Sequence, residues 1–204
     1  MFRGPSPIQF TILEGLKEAT ISFQNLGLKM DEGEIWGKTS FDLEGKETTE
    51  SLSEQVALKA ALFVPSLLRD VVEGKVGPKA QEGESSYCTM IDRSTGILDF
   101  HRTASELHRI VRACNPWPKA WARVNGSDIA ITGVWGGFKE LCEEETSDLP
   151  APGTVVGMRK DRGIGVACSD RILWITSLQL PAKKDLDFKS FVNGNKWILD
   201  SCFE

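Results

Sequence analysis

Excess positive charge is missing from this 204-residue sequence: 24 Lys and Arg stand against 29 Asp and Glu, a formal net charge of −5. That balance argues against a strongly basic nucleic-acid surface as the dominant feature and leaves room only for a local basic patch. Long apolar runs are missing too. No stretch of about 18 apolar residues is present, so no segment reads as a membrane-spanning helix. The N-terminus lacks a basic segment followed by an apolar run, so no secretory signal is read there. Cysteine is sparse and unpatterned: Cys88, Cys114, Cys142, Cys168 and Cys202 form no Cys-x-x-Cys pair. An odd, scattered set of this kind reads as reduced thiols in a cytosol-like compartment, not as a disulfide framework or a zinc site. Histidine is rarer still. His101 and His108 lie seven apart with no supporting ligand in register, so no metal is expected. Internal repeats and low-complexity segments are also absent.

What remains is ordinary globular composition, 41% hydrophobic and 26% charged. The length suits one large domain or two small ones. Ser6-Pro7-Ile8-Gln9 reads as a capping box that starts a short helix ending near Gly15. Residues 19–26 read as a strand with Ile21 and Phe23 on one face. The polar turn Lys29-Met30-Asp31-Glu32-Gly33 leads into a second strand over 34–43. Residues 49–73 place Leu52, Val56, Leu62, Leu67 and Val71 at helical spacing, with a kink expected at Pro65. Gly74, Gly77, Pro78 and Gly83 then interrupt the pattern among charges.

Beyond that break a short strand is predicted over 85–90 and a helix over 103–113, with Thr103 and Glu106 as a second capping box. Asn125-Gly126-Ser127 between residues 120–124 and 128–134 is a strong hairpin signal, because Asn-Gly tolerates the positive φ of tight hairpin turns. Three more strand-like runs (154–158, 163–168 and 172–180) precede a last helix over 185–193. The fold class is therefore α+β, in three parts. Residues 1–78 hold too few elements to bury both their faces and read as a remnant of a larger sheet domain. Residues 79–86 are the linker, and residues 87–204 read as an OB-like β-barrel. The first 80 or so residues are expected to expose apolar surface and to aggregate or stay partly disordered.

One stretch is unusually constrained. In Arg112-Ala113-Cys114-Asn115-Pro116-Trp117-Pro118 each proline fixes its own φ and biases the preceding residue toward extended backbone. The reading is a helix stop with an aromatic anchor, a scaffold device. It also belongs to a set. Arg3-Gly4-Pro5-Ser6-Pro7-Ile8-Gln9, Met30-Asp31-Glu32-Gly33, Gly96-Ile97-Leu98-Asp99-Phe100 and the tryptophan stretch occur in this order. Pro152-Gly153-Thr154-Val155, Val166-Ala167-Cys168-Ser169-Asp170, Leu178-Gln179-Leu180-Pro181-Ala182-Lys183-Lys184 and Phe188-Lys189-Ser190-Phe191-Val192-Asn193-Gly194 follow. Together they resemble methionyl-tRNA formyltransferases over nearly the whole chain. The resemblance implies a Rossmann-like domain that binds 10-formyltetrahydrofolate and an OB-like domain that helps hold initiator methionyl-tRNA. It implies transfer of the formyl group to the methionine amine in translation initiation.

The family's catalytic set is an Asn, a His and an Asp, the first two lying just before a Ser-Leu-Leu-Pro folate loop. By this resemblance the sequence starts immediately after that loop, with Met1-Phe2 as loop residues before Arg3-Gly4. The chain is thus expected to be a C-terminal portion, natural or from a truncated gene model, and inactive alone. Asp31 is the one catalytic residue carried over. From pattern alone it is a plain turn acid; the resemblance makes it a carboxylate that orients an imidazole or relays protons. The backbone of Leu28, Lys29 and Met30 would line the folate pterin pocket, where pattern alone reads an ordinary loop.

The tRNA expectation depends on local charge. Residues 83–204 carry 15 basic and 16 acidic side chains, so no basic domain exists. A stripe could form from Arg109 and Arg112 on the helix with Arg159, Lys160, Arg162, Lys183 and Lys184, against the plain alternative of solvated surface charges. Glu143-Glu144-Glu145 reads as a solvated acidic loop, and Asp99 as a turn or cap residue. Two other functions stay open: a non-catalytic RNA-binding or scaffold protein, and another folate-dependent formyltransferase or hydrolase. No membrane or DNA partner is expected, nor a metal. A complete protein would be a monomer in a bacterial-type cytoplasm, with mitochondrial or plastid residence also open.

Overall fold

A computed structural model describes residues 2–142 and 148–204; Glu143-Glu144-Glu145 lies outside them. The first elements are β1 (Phe2–Arg3) and α1 (Pro7–Leu13), the latter followed by Gly15 at φ +65°. Pro7 sits in the first turn as read, but Ser6 makes no side-chain cap. Its buried hydroxyl accepts instead from the Ile91 N–H at 3.4 Å, so the capping box read there is not formed. A tertiary partner takes the hydroxyl that the local pattern assigns to the helix.

Strands β2 (Glu18–Gln24) and β3 (Ile35–Asp42) form an antiparallel hairpin. Helix α2 (Thr49–Val72) continues through Pro65 and begins with a capping box between Thr48 and Ser51. A small core of Ile12, Ala19, Leu43 and Leu52 joins these elements, and Ala113 from further along the chain completes it. Elements of residues 2–80 therefore share a core. They still leave Leu58, Leu62, Leu68 and Val72 of α2 exposed. Residues 79–86 run beside the hairpin: Ile35 and Lys79 exchange two backbone bonds, of 2.8 and 2.9 Å. The strand expected over 85–90 shrinks to β4 (Ser86–Tyr87) and pairs in parallel with β1.

Helix α3 (Ala104–Ala113) carries the capping box read at Thr103 and Glu106. Asp170 Oδ1 adds a long-range cap by accepting from the Ala104 N–H at 2.8 Å. The helix packs on an antiparallel sheet of β5 (Ala120–Val124), β6 (Ser127–Val134), β7 (Val155–Arg159), β8 (Gly163–Ala167), β9 (Ile172–Gln179) and the short β10 (Leu186–Asp187). The strand order is β5-β6-β9-β8-β7, with β10 on β9. Asn125 and Gly126 both take positive φ (50° and 75°) in the β5–β6 turn, as that pair requires. Short helices α4 (Phe138–Cys142) and α5 (Phe188–Gly194) follow β6 and β10.

The C-terminal tail bridges the two ends of this sheet path. Phe203 N–H donates to Gly153 O at 2.8 Å, and Glu204 N–H donates to Arg123 O at 2.8 Å. A continuous apolar core under α3 includes Leu98, Leu107, Ile129, Ile131, Ile164 and Phe191.

Replacing Thr103 by Ala removes the box and is expected to lower stability by about 1 kcal/mol, measured by denaturant unfolding. Hydrogen bonds from Arg102 and Thr103 hold the Glu106 carboxyl down at about 2, from 4.5. Because the folded value is depressed, its contribution is present above pH 4.5 and is lost as pH falls toward 2. Glu106→Gln should flatten unfolding free energy against pH in that window; an unchanged slope would contradict the assignment.

Candidate functional site: Asp31 and two basic surfaces

The β2–β3 connection places Asp31 at φ +55°, a left-handed conformation that Asp tolerates better than most residues. Its carboxylate is held from two sides. Gly4 N–H donates to Oδ2 at 2.9 Å and Gln24 Nε2 to Oδ1 at 3.1 Å. Gln81 Nε2 donates to the Asp31 carbonyl at 2.8 Å and lies 2.7 Å from Gly33 O. Arg3 Nη2 donates to Gln81 Oε1 at 2.8 Å and so fixes that amide. Two glycines permit the close approach. A Cβ on Gly33 would lie 1.7 Å from Asn25 O, and one on Gly4 would lie 2.6 Å from Cys88 O.

Asp31 and Gln24 stand at one side of a cavity of about 290 Å³ whose walls are largely apolar: Phe2, Ile8, Ile21, Leu52 and Val56. This is a single oriented carboxylate beside an apolar recess. Leu28, Lys29 and Met30 stand apart from it, in the same turn, and project into solvent. Gly4, Gln24, Gln81 and Arg3 were not identified from sequence as holding this carboxylate. They lie far apart in the chain with no pattern linking them.

The seven cations do not form one stripe. Arg112 is buried, and two of its donors are used: Nε donates to His108 Nδ1 at 3.1 Å and Nη1 to Glu47 O at 2.9 Å. Its burial withdraws it from an exposed stripe. Arg109 is half-buried against the end of α1, where a Cβ on Gly15 would lie 2.6 Å from its Nη1. Arg159, Lys160 and Arg162 come together at the β7–β8 turn. Arg159 lies 5.1 Å from the Trp174 ring centroid, and Arg162 lies 4.5 Å from that of Trp135. Lys183 and Lys184 are exposed after β9, at the end where Gln179 lies. The register Ile164↔Ile175 and Ala167↔Ile172 sets the β7–β8 turn beside the C-terminal half of β9, while the two lysines lie in the connection that follows β9.

The histidines also have other work. His101 pairs with Asp99 at 3.0 Å in the open. His108 is fully buried; burial and the adjacent Arg112 push its imidazole down to about 3. The neutral ring then accepts from Arg112 at Nδ1 and donates through Nε2 to Gly136 O at 3.2 Å.

Comparison with known proteins decides the family. The family described as formyl transferase, C-terminal domain, matches residues 90–196. The chain belongs to the formyl transferase family. Methionyl-tRNA formyltransferase of Borrelia hermsii (strain HS1 / DAH) is 32% identical over 202 residues, covering 99% of this chain and 64% of the relative. The Treponema denticola enzyme of the same name is 34% identical over 208 residues, covering 100% and 63%. The chain thus spans less than two thirds of the length of these curated relatives.

Among solved structures, HypX from Aquifex aeolicus in complex with tetrahydrofolic acid matches with a TM-score of 0.68 and 18% identity, over 93% of this chain and 32% of that one. The sugar 3N-formyl transferase WlaRD matches at 0.62 and 14%, over 90% and 62%. Methionyl-tRNA formyltransferase from Clostridium thermocellum matches at 0.52 and 19%, over 65% and 57%. These likenesses establish a mixed α+β formyl transferase fold.

Arg112→Met should lower stability by about 2–4 kcal/mol, because it leaves His108 Nδ1 and Glu47 O buried without their donor. Arg159→Ala, on the exposed turn, should change stability by less than about 0.5 kcal/mol. Chemical denaturation of the two variants checks both values. Equal effects would contradict the division between a structural and a surface arginine.

Proposed function

We propose that this chain supplies the aspartate wall and the tRNA-holding part of a methionyl-tRNA formyltransferase. That enzyme moves the formyl group of 10-formyltetrahydrofolate to the amine of initiator methionyl-tRNA. The observation that carries the reading is the Asp31 carboxylate, fixed by Gly4 and Gln24 beside an apolar recess in a chain similar along 99% of its length to an enzyme of that name.

In this reading residues 1–78 are the end of a Rossmann-like formyltransferase domain and residues 87–204 an OB-like unit, with 79–86 as the connection. The antiparallel path and the tail that bridges its ends support the OB-like description. The backbone of Leu28–Met30 lines the pterin pocket, and its exposure in the Asp31 turn is consistent with that role. Arg159, Lys160, Arg162, Lys183 and Lys184 contact tRNA phosphates. Arg112 is withdrawn from that set by its burial, and Arg109 by its packing against α1. The protein acts as a cytoplasmic monomer without a metal.

Acyl transfer to an amine needs a proton acceptor and donors for the developing oxyanion. Asp31 can orient an imidazole and balance its charge, but the two histidines of these 204 residues are engaged elsewhere, with Asp99 and with Arg112 and Gly136. This isolation favours a second reading, an RNA-binding or scaffold protein without catalysis.

The purified 204-residue chain is expected to show no formyl transfer to charged initiator tRNA above background, yet to retain that tRNA with an affinity that falls steeply with salt. Clear turnover would overturn the claim that one carboxylate is insufficient. Equal retention of initiator and elongator tRNA would favour the scaffold reading.

A further inference from the structure

Sequence reading makes Trp117 an anchor; the structure turns it outward, 63% exposed. Residues 114–118 form a turn rather than an extended exit from α3, and both X–Pro bonds are cis. Asn115 secures that turn by donating from Nδ2 to Thr132 O at 2.7 Å. The indole therefore stands at the mouth of a groove of about 490 Å³, a size within the range of small-molecule sites.

Strand alternation builds the rest of this groove. Ala120, Ala122 and Val124 of β5 are buried, so Trp121 and Arg123 project from the outer face. The Arg93 guanidinium lies 5.5 Å from the Trp121 ring centroid, and Trp121 Nε1 donates to Arg93 O at 3.3 Å. Lys119 Nζ donates to Gln179 Oε1 at 2.6 Å, and residues 180–182 form the facing wall. Lys119 and Ala182 hold φ of +71° and +57°, the left-handed region that such residues seldom occupy. Asp128, the acid lining the groove, is engaged by Arg93 at 3.8 Å and Arg123 at 3.1 Å. Lys183 and Lys184 follow directly on the wall. The groove combines one exposed indole, Trp117, and a half-buried one, Trp121, with a surplus of cations on a chain that is acidic overall.

Aromatic planes with cations beside them suit one partner class: an unpaired nucleotide, with a base to stack and a phosphate to neutralise. We propose that this groove seats an unpaired nucleotide of RNA, its base stacked on Trp117 and its phosphate against Lys119 and Arg93. Identifying that RNA as tRNA rests on the function proposed above; the seat itself rests on the groove. The Arg159–Arg162 turn then acts as a separate phosphate contact on the same sheet.

The test measures binding of fluorescein-labelled hexa-adenylate by anisotropy and of initiator tRNA by filter retention. The proteins are wild type, Trp117→Ala, Trp117→Phe, Arg93→Gln and the control Trp197→Phe. Trp117→Ala should weaken hexa-adenylate binding roughly tenfold, as expected for loss of one base–aromatic stack, with the salt slope unchanged. Trp117→Phe should retain most of the affinity and Trp197→Phe all of it. Arg93→Gln should reduce the salt slope by about 0.7, the loss of one phosphate contact on a single strand.

Unchanged hexa-adenylate affinity in Trp117→Ala would overturn the proposal, as would wild-type protein that binds no hexa-adenylate or takes a proline-rich peptide in its place. Initiator tRNA retained equally by wild type and Trp117→Ala would remove the groove while leaving the tRNA reading intact. Trp117-dependent binding of hexa-adenylate without retention of initiator tRNA would do the reverse.

Discussion

A buried guanidinium joins the two halves of this chain. Arg112 leaves water on the inner face of α3, and burial pulls it down to about 10 from its usual value. Such a group is costly unless its donors are met. One donor reaches His108, whose ring burial and the adjacent Arg112 hold in the neutral form that can accept. Another reaches the carbonyl of Glu47 in the loop between β3 and α2. The Glu47 carboxylate in turn accepts from the N–H groups of Glu44 and Gly45, at 2.7 and 2.9 Å, and fixes that loop. Glu44 O accepts from Phe138 N–H at 3.0 Å, and Thr49 Oγ1 donates to Ala113 O at 2.6 Å. The hairpin that carries Asp31 is thereby docked on the helix that packs against the sheet.

This arrangement gives the two halves different chemistry on one connected support. The first half orients a carboxylate beside an apolar recess. The second carries arginines at the β7–β8 turn, lysines after β9 and an exposed tryptophan, Trp117, at the mouth of a groove. The function proposed above assigns the first half a proton-handling group and the second the holding of an anionic substrate. The overall charge of −5 conceals this, because the cations are local.

Legibility followed how local each cause is. Thr103 with Glu106, and Asn125 with Gly126, act within four residues, so sequence alone placed a helix start and a hairpin turn correctly. Helix α2 was legible from its apolar spacing, even through Pro65. Ser6 looked like a cap but bonds to Ile91, 85 positions away. Residues 85–90 looked like part of the second unit, yet Ser86 and Tyr87 pair with the N-terminus. Arg112 was indistinguishable from a surface cation because only the folded chain reveals that His108 and Glu47 surround it. Trp117 misled in the opposite direction. A tryptophan between prolines was read as an anchor on extended backbone, whereas residues 114–118 form a turn and leave the indole exposed. Asp31 could be singled out only through the family resemblance, since Gly4, Gln24 and Gln81 converge on it from three separate segments.

If α3 is shared as described, the hairpin unit and the sheet unit cannot unfold independently. Scanning calorimetry of the 204-residue chain is the most direct measurement. The account predicts one transition whose calorimetric and van't Hoff enthalpies agree. Two resolved transitions, with residues 1–78 melting first while the sheet persists, would contradict it.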